Sequence, residues 1–432
     1  MHDDPLEALL DGRLEDPDGG PPLSVPTRTV VIADSLAGQE AALVEALDLG
    51  RHIALVSDDN THEVLGARVA RALDGGMRLH TIRLTGRPHA DQETVEGIRQ
   101  EGAACDAYLA VGAGTINDLC KYAAALDDKP YAVFGTAPSM NGYTSVNAAI
   151  TVKGHKKSLQ ATAARGVFLD LQVLSEAPPR MIRAGLGDSL CRPTAQVDWL
   201  LAHLLLGQDY REAPFALLRE DEAELFAETE ALMRGDVAVM RRLARTLVMS
   251  GFGMTVCGGS FPASQGEHLI AHYAEMMAPP DWPESFHGEQ IGIATLTMAR
   301  LQERLLDGAP PKLAYRPVSE ASFTSHYGAE LGATCWREFS AKRRGAGDVE
   351  ALNERLAAIW DEAKARMSAV AIGADELEAV LRRAGAPTRP EEIDWPVAFY
   401  HEAVRRGREI RDRYTFLDLA ADSGGLDDPG AF

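Results

Sequence analysis

The stretch Ala107-Tyr-Leu-Ala-Val-Gly-Ala-Gly-Thr-Ile-Asn-Asp-Leu-Cys-Lys121 decides the fold. Its first five residues, Ala107–Val111, form a short apolar run that reads as a buried strand. Gly112 and Gly114 follow, and a helical pattern begins at once. Such a turn brings backbone close to a phosphate, and the N–H groups at the helix start face an anion. Alone, the same spacing also describes a plain strand-to-helix connection.

Moving outward, the pattern repeats. Thr29–Ala33, Ile53–Ser57, Leu79–Leu84, Tyr131–Gly135 and Val167–Leu171 read as further strands. The segments Gln39–Leu49 and Glu63–Leu73 between them read as helices. Strands alternating with helices predict a largely parallel sheet covered on both faces. Ligands of such sheets bind beyond the C-terminal strand ends. Asp58, Gly112–Asp118 and Thr136–Ser145 fall at such ends.

After Pro178-Pro179 the β-branched runs stop. Helical periodicity then dominates Leu200–Leu206, Glu220–Met249, His268–Met276, Gly288–Leu306, Val349–Met367 and Asp375–Arg383. The expected organisation is an α/β domain over 26–178 and an all-α domain over 179–432. Residues 1–25 carry seven acids and one arginine and end in Pro17-Asp-Gly-Gly-Pro-Pro22. They are expected to be a disordered acidic tail.

Bulk composition excludes several classes. The chain has 432 residues, of which 46% are apolar, enough to build two cores. A formal charge of −21 argues against nucleic acid and anionic membranes as partners. No apolar run is long enough to span a bilayer. The start Met1-His-Asp-Asp-Pro5 has neither basic nor apolar character, so no secretory signal is expected. The five cysteines, Cys105, Cys120, Cys191, Cys257 and Cys335, form no Cys-x-x-Cys pair. They are expected to be buried thiols in a reducing cytoplasm.

Three segments of the second half supply metal-ligand types. Gly185-Leu-Gly-Asp188 places a carboxylate at an expected helix start. Glu267-His-Leu-Ile-Ala-His272 puts His268 and His272 at i and i+4, on one helix face. Phe286-His287-Gly-Glu289 opens another helix. One Asp and two His make a facial set with open positions, the pattern of a Lewis-acid site. A capping role for Asp188 and surface roles for the histidines stay open at this point.

Taken together, the motifs resemble the iron-containing alcohol dehydrogenase/dehydroquinate synthase superfamily, and within it the bacterial sn-glycerol-1-phosphate dehydrogenase branch. The matching segments are Ala110–Tyr122, Thr136–Ser145, Ala184–Asp188, Ser260–His272, His287–Glu289 and Ile410-Arg-Asp-Arg-Tyr-Thr-Phe-Leu-Asp-Leu-Ala420. The likeness spans about residues 27 to 425.

The resemblance implies a Rossmann-like domain that binds NAD(H) or NADP(H), a helical domain, and one divalent metal. Zinc is the default ion, and nickel and iron stay open. By position, Gly112, Gly114, Thr115 and Asp118 border the pyrophosphate and nicotinamide ribose, and Thr136 and Ser139 line the cofactor cleft. Asp58 accepts from the adenosine ribose hydroxyls, which favours NAD over NADP. Asp188, His268 and His287 match the metal ligands. His272 matches a histidine that orients its neighbours. Lys156 matches a lysine near the nicotinamide, with Lys157 competing for that alignment. The implied reaction is reduction of a ketone such as dihydroxyacetone phosphate to a secondary alcohol. It requires no nucleophilic cysteine or serine. A homodimer and a place in phospholipid metabolism also follow from the resemblance.

Two positions depart from the branch. Asn141 stands where relatives read Ser-Met-Asp-Gly-Tyr, and an amide cannot act as a base. Phe261 stands where relatives read Ser-Arg-Pro-Ala-Ser-Gly, which loses a candidate phosphate clamp. Arg192 stands where relatives tend to carry lysine. These departures leave two expectations: a changed, less anionic substrate, or the same phosphate held by another basic residue. The alternative functions are a dehydroquinate synthase-like sugar-phosphate cyclase and a non-catalytic relative.

Overall fold

Each of the six expected strands forms. β1 (Thr29–Ala33), β2 (His52–Asp58), β3 (Arg78–Leu84), β4 (Ala107–Gly112) and β5 (Tyr131–Gly135) precede a hairpin, β6 (Asn147–Val152) and β7 (His155–Gln160). The last strand is β8 (Gly166–Asp170). In the computed structural model, which describes residues 4–279 and 282–426, six strands make one sheet in the order β1-β8-β5-β4-β2-β3. All its pairings are parallel. β4, β5 and β8 are buried along their whole length, as their near-continuous apolar runs require. The edge strands β1 and β3 remain partly exposed.

The order reverses between β2 and β4. From β2 the chain steps outward to β3, and from β4 it steps the other way to β5 and β8. The C-terminal residues Asp58 of β2 and Gly112 of β4 therefore flank the switch point, where open α/β sheets take their ligands. β6 and β7 form a separate antiparallel hairpin, turned at Lys153-Gly154 with positive φ at both residues.

The chain divides into two compact units, Met1–Ser189 with Arg211–Ser260, and Leu190–Tyr210 with Phe261–Phe432. The expected boundary near Pro178-Pro179 is thus displaced, and 211–260 returns to the α/β unit. The reason is the Val237–Val256 helix, whose Arg241 donates to the Ile32 carbonyl of β1 and pairs with Asp34 at 2.7 Å. The expected helix Glu220–Met249 is three helices, Arg219–Ala227, Thr229–Met233 and Val237–Val256. Gly235, with φ +82°, and the N-cap Asp236 break the last joint.

Residues 4–25 are not a disordered tail. Pro5–Leu10 is a helix capped by Asp4, and Leu6, Leu9 and Leu23 are buried. The acids that suggested disorder meet arginines from the 211–245 region. Asp16 and Asp18 bond Arg211 at 2.5 and 3.1 Å, and Asp4 bonds Arg245 at 2.8 Å. Charge repulsion is therefore compensated, and the three leucines supply the burial. Residues 1–3 lie outside the described residues.

Among the described residues, every regular element of the second unit is a helix. Its core gathers Val197, Leu201, Ile270, Tyr273, Ala294, Leu301, Met367 and Phe416. Asp198 anchors this core, accepting from the backbone N–H of Gly266 at 2.9 Å and of Phe416 at 2.9 Å, and from Gln302 at 3.2 Å. Burial, with Glu267 nearby, pushes its carboxyl up to about 8.

Candidate active site

In the α/β unit the glycine turn behaves as its spacing predicts. Gly112 ends β4, and a Cβ there would lie 2.5 Å from the Ile116 Cβ, so the helix packs directly onto the strand end. The Gly114–Asp127 helix has no side-chain N-cap, and Thr115 is exposed in its first turn. No side chain therefore satisfies its first N–H groups, the arrangement in which helix starts can receive an anion.

Asp118 ties this turn to the hairpin, accepting from Ala149 N at 3.0 Å and Asn117 Nδ2 at 3.1 Å. Lys121, one turn on, is fully buried. It donates to Gly142 O at 2.5 Å, Ser145 Oγ at 3.1 Å and Asn147 O at 2.9 Å, so one cation holds the whole Gly142–Asn147 loop. Burial lowers its pKa. Sequence reasoning missed this role, because a helical lysine ordinarily reads as a solvated face.

Asp58 accepts from Thr61 N at 2.7 Å while its own N–H bonds Thr61 Oγ1 at 3.0 Å. One carboxylate oxygen therefore caps the turn after β2. Thr136 is buried, with its N–H on the Gly112 carbonyl at 3.2 Å, and Ser139 is partly buried in the same loop. Lys156 lies on β7 opposite Thr151, and Lys157 opposite Ile150. Consecutive strand residues project to opposite faces, so the two lysines are not interchangeable.

Asp188 sits in the last turn of the Pro179–Ser189 helix, not at a helix start. It is buried, and its Oδ2 accepts the Asn141 N–H at 2.9 Å. Two glycines set this loop. A Cβ at Gly185 would lie 1.6 Å from the Pro138 carbonyl oxygen, and one at Gly251 would lie 2.6 Å from the Asn141 carbonyl oxygen. The Asn141 amide donates to Ser250 Oγ at 3.2 Å, and Thr144 Oγ1 donates to the Val248 carbonyl at 2.6 Å.

In the helical unit, His268 and His272 lie on the Gly266–Met277 helix, and His287 opens the His287–Asp307 helix. The rings converge. His268 is 5.2 Å from His287 and 5.7 Å from His272, and His272 is 5.5 Å from His287, centroid to centroid. Two carboxylates orient them. Glu267 accepts from His268 Nδ1 at 2.9 Å, and Glu275 meets His272 Nδ1 at 3.1 Å and His287 Nδ1 at 3.6 Å. A carboxylate on Nδ1 fixes the tautomer and leaves Nε2 as the lone-pair donor.

Glu267 is wholly buried, and burial pushes it up to about 7. Burial also holds His272 neutral, down to about 3. His272, Glu275 and His287 bring one ligand atom each within 4.8 Å of one another, as do Cys191, Glu267 and His268. Neither glutamate was singled out from sequence. The available signal was their placement one residue before and three residues after a histidine of the i, i+4 pair.

The departures also have structural settings. Phe261 is half-exposed, stacked on Trp199 at 5.8 Å, with the Arg413 guanidinium 4.6 Å from its ring centre. Arg192 donates to Gln196 Oε1 at 2.9 Å, one turn along its own helix.

The family model for iron-containing alcohol dehydrogenase matches residues 31–178. The chain belongs to the iron-containing alcohol dehydrogenase family. A glycerol-1-phosphate dehydrogenase (NAD(P)+) of Bacillus velezensis is 30% identical over 384 residues, 87% of this chain and 86% of that one. The enzyme of the same name from Pyrococcus furiosus is 30% identical over 296 residues, 67% of this chain and 84% of that one. Among solved structures, a probable glycerol dehydrogenase from Sinorhizobium meliloti 1021 has a TM-score of 0.62 at 16% identity, covering 94% of this chain and 97% of that one. That likeness shows the fold.

Proposed function

We propose that this chain is a metal-dependent NAD(P)H oxidoreductase that reduces a small ketone, dihydroxyacetone phosphate first among them, to a secondary alcohol. The relatives that carry the glycerol-1-phosphate dehydrogenase name support the reaction class. The observation that carries the reading is the histidine pair. His268 and His287 face each other at 5.2 Å, each with its Nδ1 turned to a carboxylate.

The donor set fits the metal. Two imidazole Nε2 atoms and the Asp188 carboxylate suit zinc first, with nickel and iron as alternatives. The uncapped helix after Gly112 and Gly114 fits a dinucleotide pyrophosphate, and Asp58 beside the switch point fits a ribose. When bound, the ion supplies Lewis acidity toward a carbonyl oxygen and the dihydronicotinamide supplies hydride.

The chain's own residues position these partners. Gly112, Gly114, Thr115 and Asp118 receive the phosphates and the near ribose, while Thr136, Ser139 and Lys156 border the nicotinamide end. Asn141 holds Asp188 through its backbone N–H. Its side chain hydrogen-bonds without carrying a proton, so it orients rather than acts as base. From the family resemblance the enzyme works as a homodimer, and five cysteines with no Cys-x-x-Cys pair fit a reducing cytoplasm. No described helix is long and apolar enough to cross a membrane.

The test is NADH oxidation against dihydroxyacetone phosphate and related ketones, with zinc, nickel or iron(II) restored. Stoichiometric NADH consumption with one ketone is the expected result. Turnover of a sugar phosphate with no net NADH loss would instead establish a cyclase. No turnover with any metal would leave a non-catalytic relative.

A further inference from the structure

The helical unit holds a cavity apart from its histidines. The walls come from the 313–316 segment, the C-terminal end of the Ala329–Lys342 helix, the start of the Ala346–Ser368 helix and the stretch 408–422. No lining residue lies on the helices that carry His268, His272 and His287.

The two carboxylates of the cavity are already engaged. Asp418 accepts from the buried Lys342 at 2.9 Å and from Thr415 N at 3.0 Å, and Asp422 accepts from Arg408 at 2.9 Å. Lys342 donates again, to the Arg413 carbonyl at 2.6 Å. Arg343 and Arg344 also line the cavity, and neither makes an ion pair within 4 Å among the described residues. Arg343 donates to Tyr315 Oη at 2.7 Å. With Lys342 and Arg408 matched by the carboxylates, Arg343 and Arg344 leave the cavity positive in a chain of formal charge −21.

Two donors in the wall are unmet. Tyr414 is buried, and its hydroxyl has no hydrogen-bond partner among the described residues. The Arg344 Nε atom is buried and likewise has none. A guanidinium N–H only donates and a phenol can donate, so what the cavity lacks is an acceptor. Buried polar atoms are rarely left alone, because each loses its hydration without a replacement bond. A water would accept from both donors, but the surplus positive charge selects an anion. The free volume, about 20 Å³, exceeds what one water needs. It falls far short of the roughly 300 Å³ or more that organic ligands occupy.

We propose that this cavity binds a small tetrahedral oxyanion, inorganic phosphate or sulfate, on the Tyr414 hydroxyl and the Arg344 Nε, with Arg343 adding charge. The site goes beyond the dehydrogenase reading and is separate from any phosphate carried by the substrate. Bound there, the anion ties the joint between the Ala329–Lys342 and Ala346–Ser368 helices to the residue two before the Phe416–Ser423 helix.

The experiment is isothermal titration calorimetry of inorganic phosphate into the metal-loaded protein at constant ionic strength, with Arg344→Gln and Tyr414→Phe as variants. The wild type should bind phosphate, and each variant should bind it about tenfold or more weakly, through loss of one hydrogen bond to a charged group. Without phosphate, Tyr414→Phe should melt no lower than the wild type, because it removes a hydroxyl that has nothing to bond. The KM for dihydroxyacetone phosphate should be the same in all three proteins.

No phosphate binding by the wild type, or equal affinity in the wild type and either variant, would overturn the site. A raised KM in Arg344→Gln would assign the cavity to the substrate and overturn it as a separate site. A lower melting temperature of Tyr414→Phe without phosphate would show that the hydroxyl is already bonded, which also overturns the proposal. If Arg344→Gln does not fold, the same comparisons on Tyr414→Phe decide the question. If no ketone oxidises NADH, the dehydrogenase reading fails, and the calorimetry still decides the cavity.

Discussion

At the scale of single residues, the candidate centre is two imidazoles steered by two carboxylates. His268 was legible because i, i+4 spacing puts its ring on one helix face with that of His272, whereas His287 was legible only as a histidine opening another helix. The carboxylates were not, because glutamate on a helix usually means a solvated face. Their effect is measurable. Glu267→Gln leaves His268 Nδ1 with a weaker acceptor, so metal affinity should fall about 10- to 100-fold, read by competition with a chelator. Affinity unchanged by Glu267→Gln would remove its orienting role.

Asp58 divides its carboxylate between capping and the expected ribose. Asp58→Ala should therefore cost about 1 kcal/mol of stability through the lost cap. It should also raise KM for NADH more than KM for NADPH, because a repulsive carboxylate toward a 2′-phosphate is removed. An unchanged NADH-to-NADPH ratio would assign Asp58 to capping alone. Asp188 was expected at a helix start and instead ends one. The Gly-Leu-Gly that precedes it is not a breaker there, because Gly185 serves close packing onto Pro138.

At the scale of elements, the parallel strands were readable because strands covered on both faces are continuous apolar runs. Tyr131–Gly135 matches the expectation residue for residue. The β6–β7 hairpin was not readable, since Lys156 and Lys157 interrupt any alternation of apolar and polar residues. The strap at residues 4–25 was misread for a different reason. Composition reports its charge but not the arginines that neutralise it.

Glycine positions set the loop that carries Asn141. A methyl at Gly185 collides with backbone, which cannot yield as a side chain can. Gly185→Ala should destabilise the protein by about 3 kcal/mol or more, measured by denaturant unfolding. A cost within about 0.5 kcal/mol would mean that the helix and the Pro138 turn are not in contact in solution.

At the scale of the whole molecule, the family assignment covers two units: a parallel sheet whose strand order reverses between β2 and β4, and a helical unit in which three imidazole rings converge. The division of the chain was only partly legible. Helical periodicity after Pro178-Pro179 says nothing about which core a helix joins, and 211–260 joins the first.

Four of the five thiols show the expected burial. Cys105, Cys120, Cys191 and Cys335 are buried, and Cys257 is partly so. Burial pushes Cys257 and Cys335 up to about 12 and raises Cys105 and Cys120 as well. A raised thiol pKa means that thiolate is absent through pH 8 and appears only as pH climbs toward the folded value. These four thiols should resist a maleimide at pH 8 in the native protein and react on unfolding. Rapid native labelling of any of them would contradict that burial.

The central proposal, which rests on the family resemblance, is a divalent ion held by Asp188, His268 and His287. Anomalous diffraction from metal-loaded crystals tests it most directly. The account predicts one peak about 2.0–2.2 Å from His268 Nε2, His287 Nε2 and an Asp188 carboxylate oxygen. A peak ligated instead by His272 and Glu275, or a fully loaded active enzyme with no peak at His268 and His287, would contradict it.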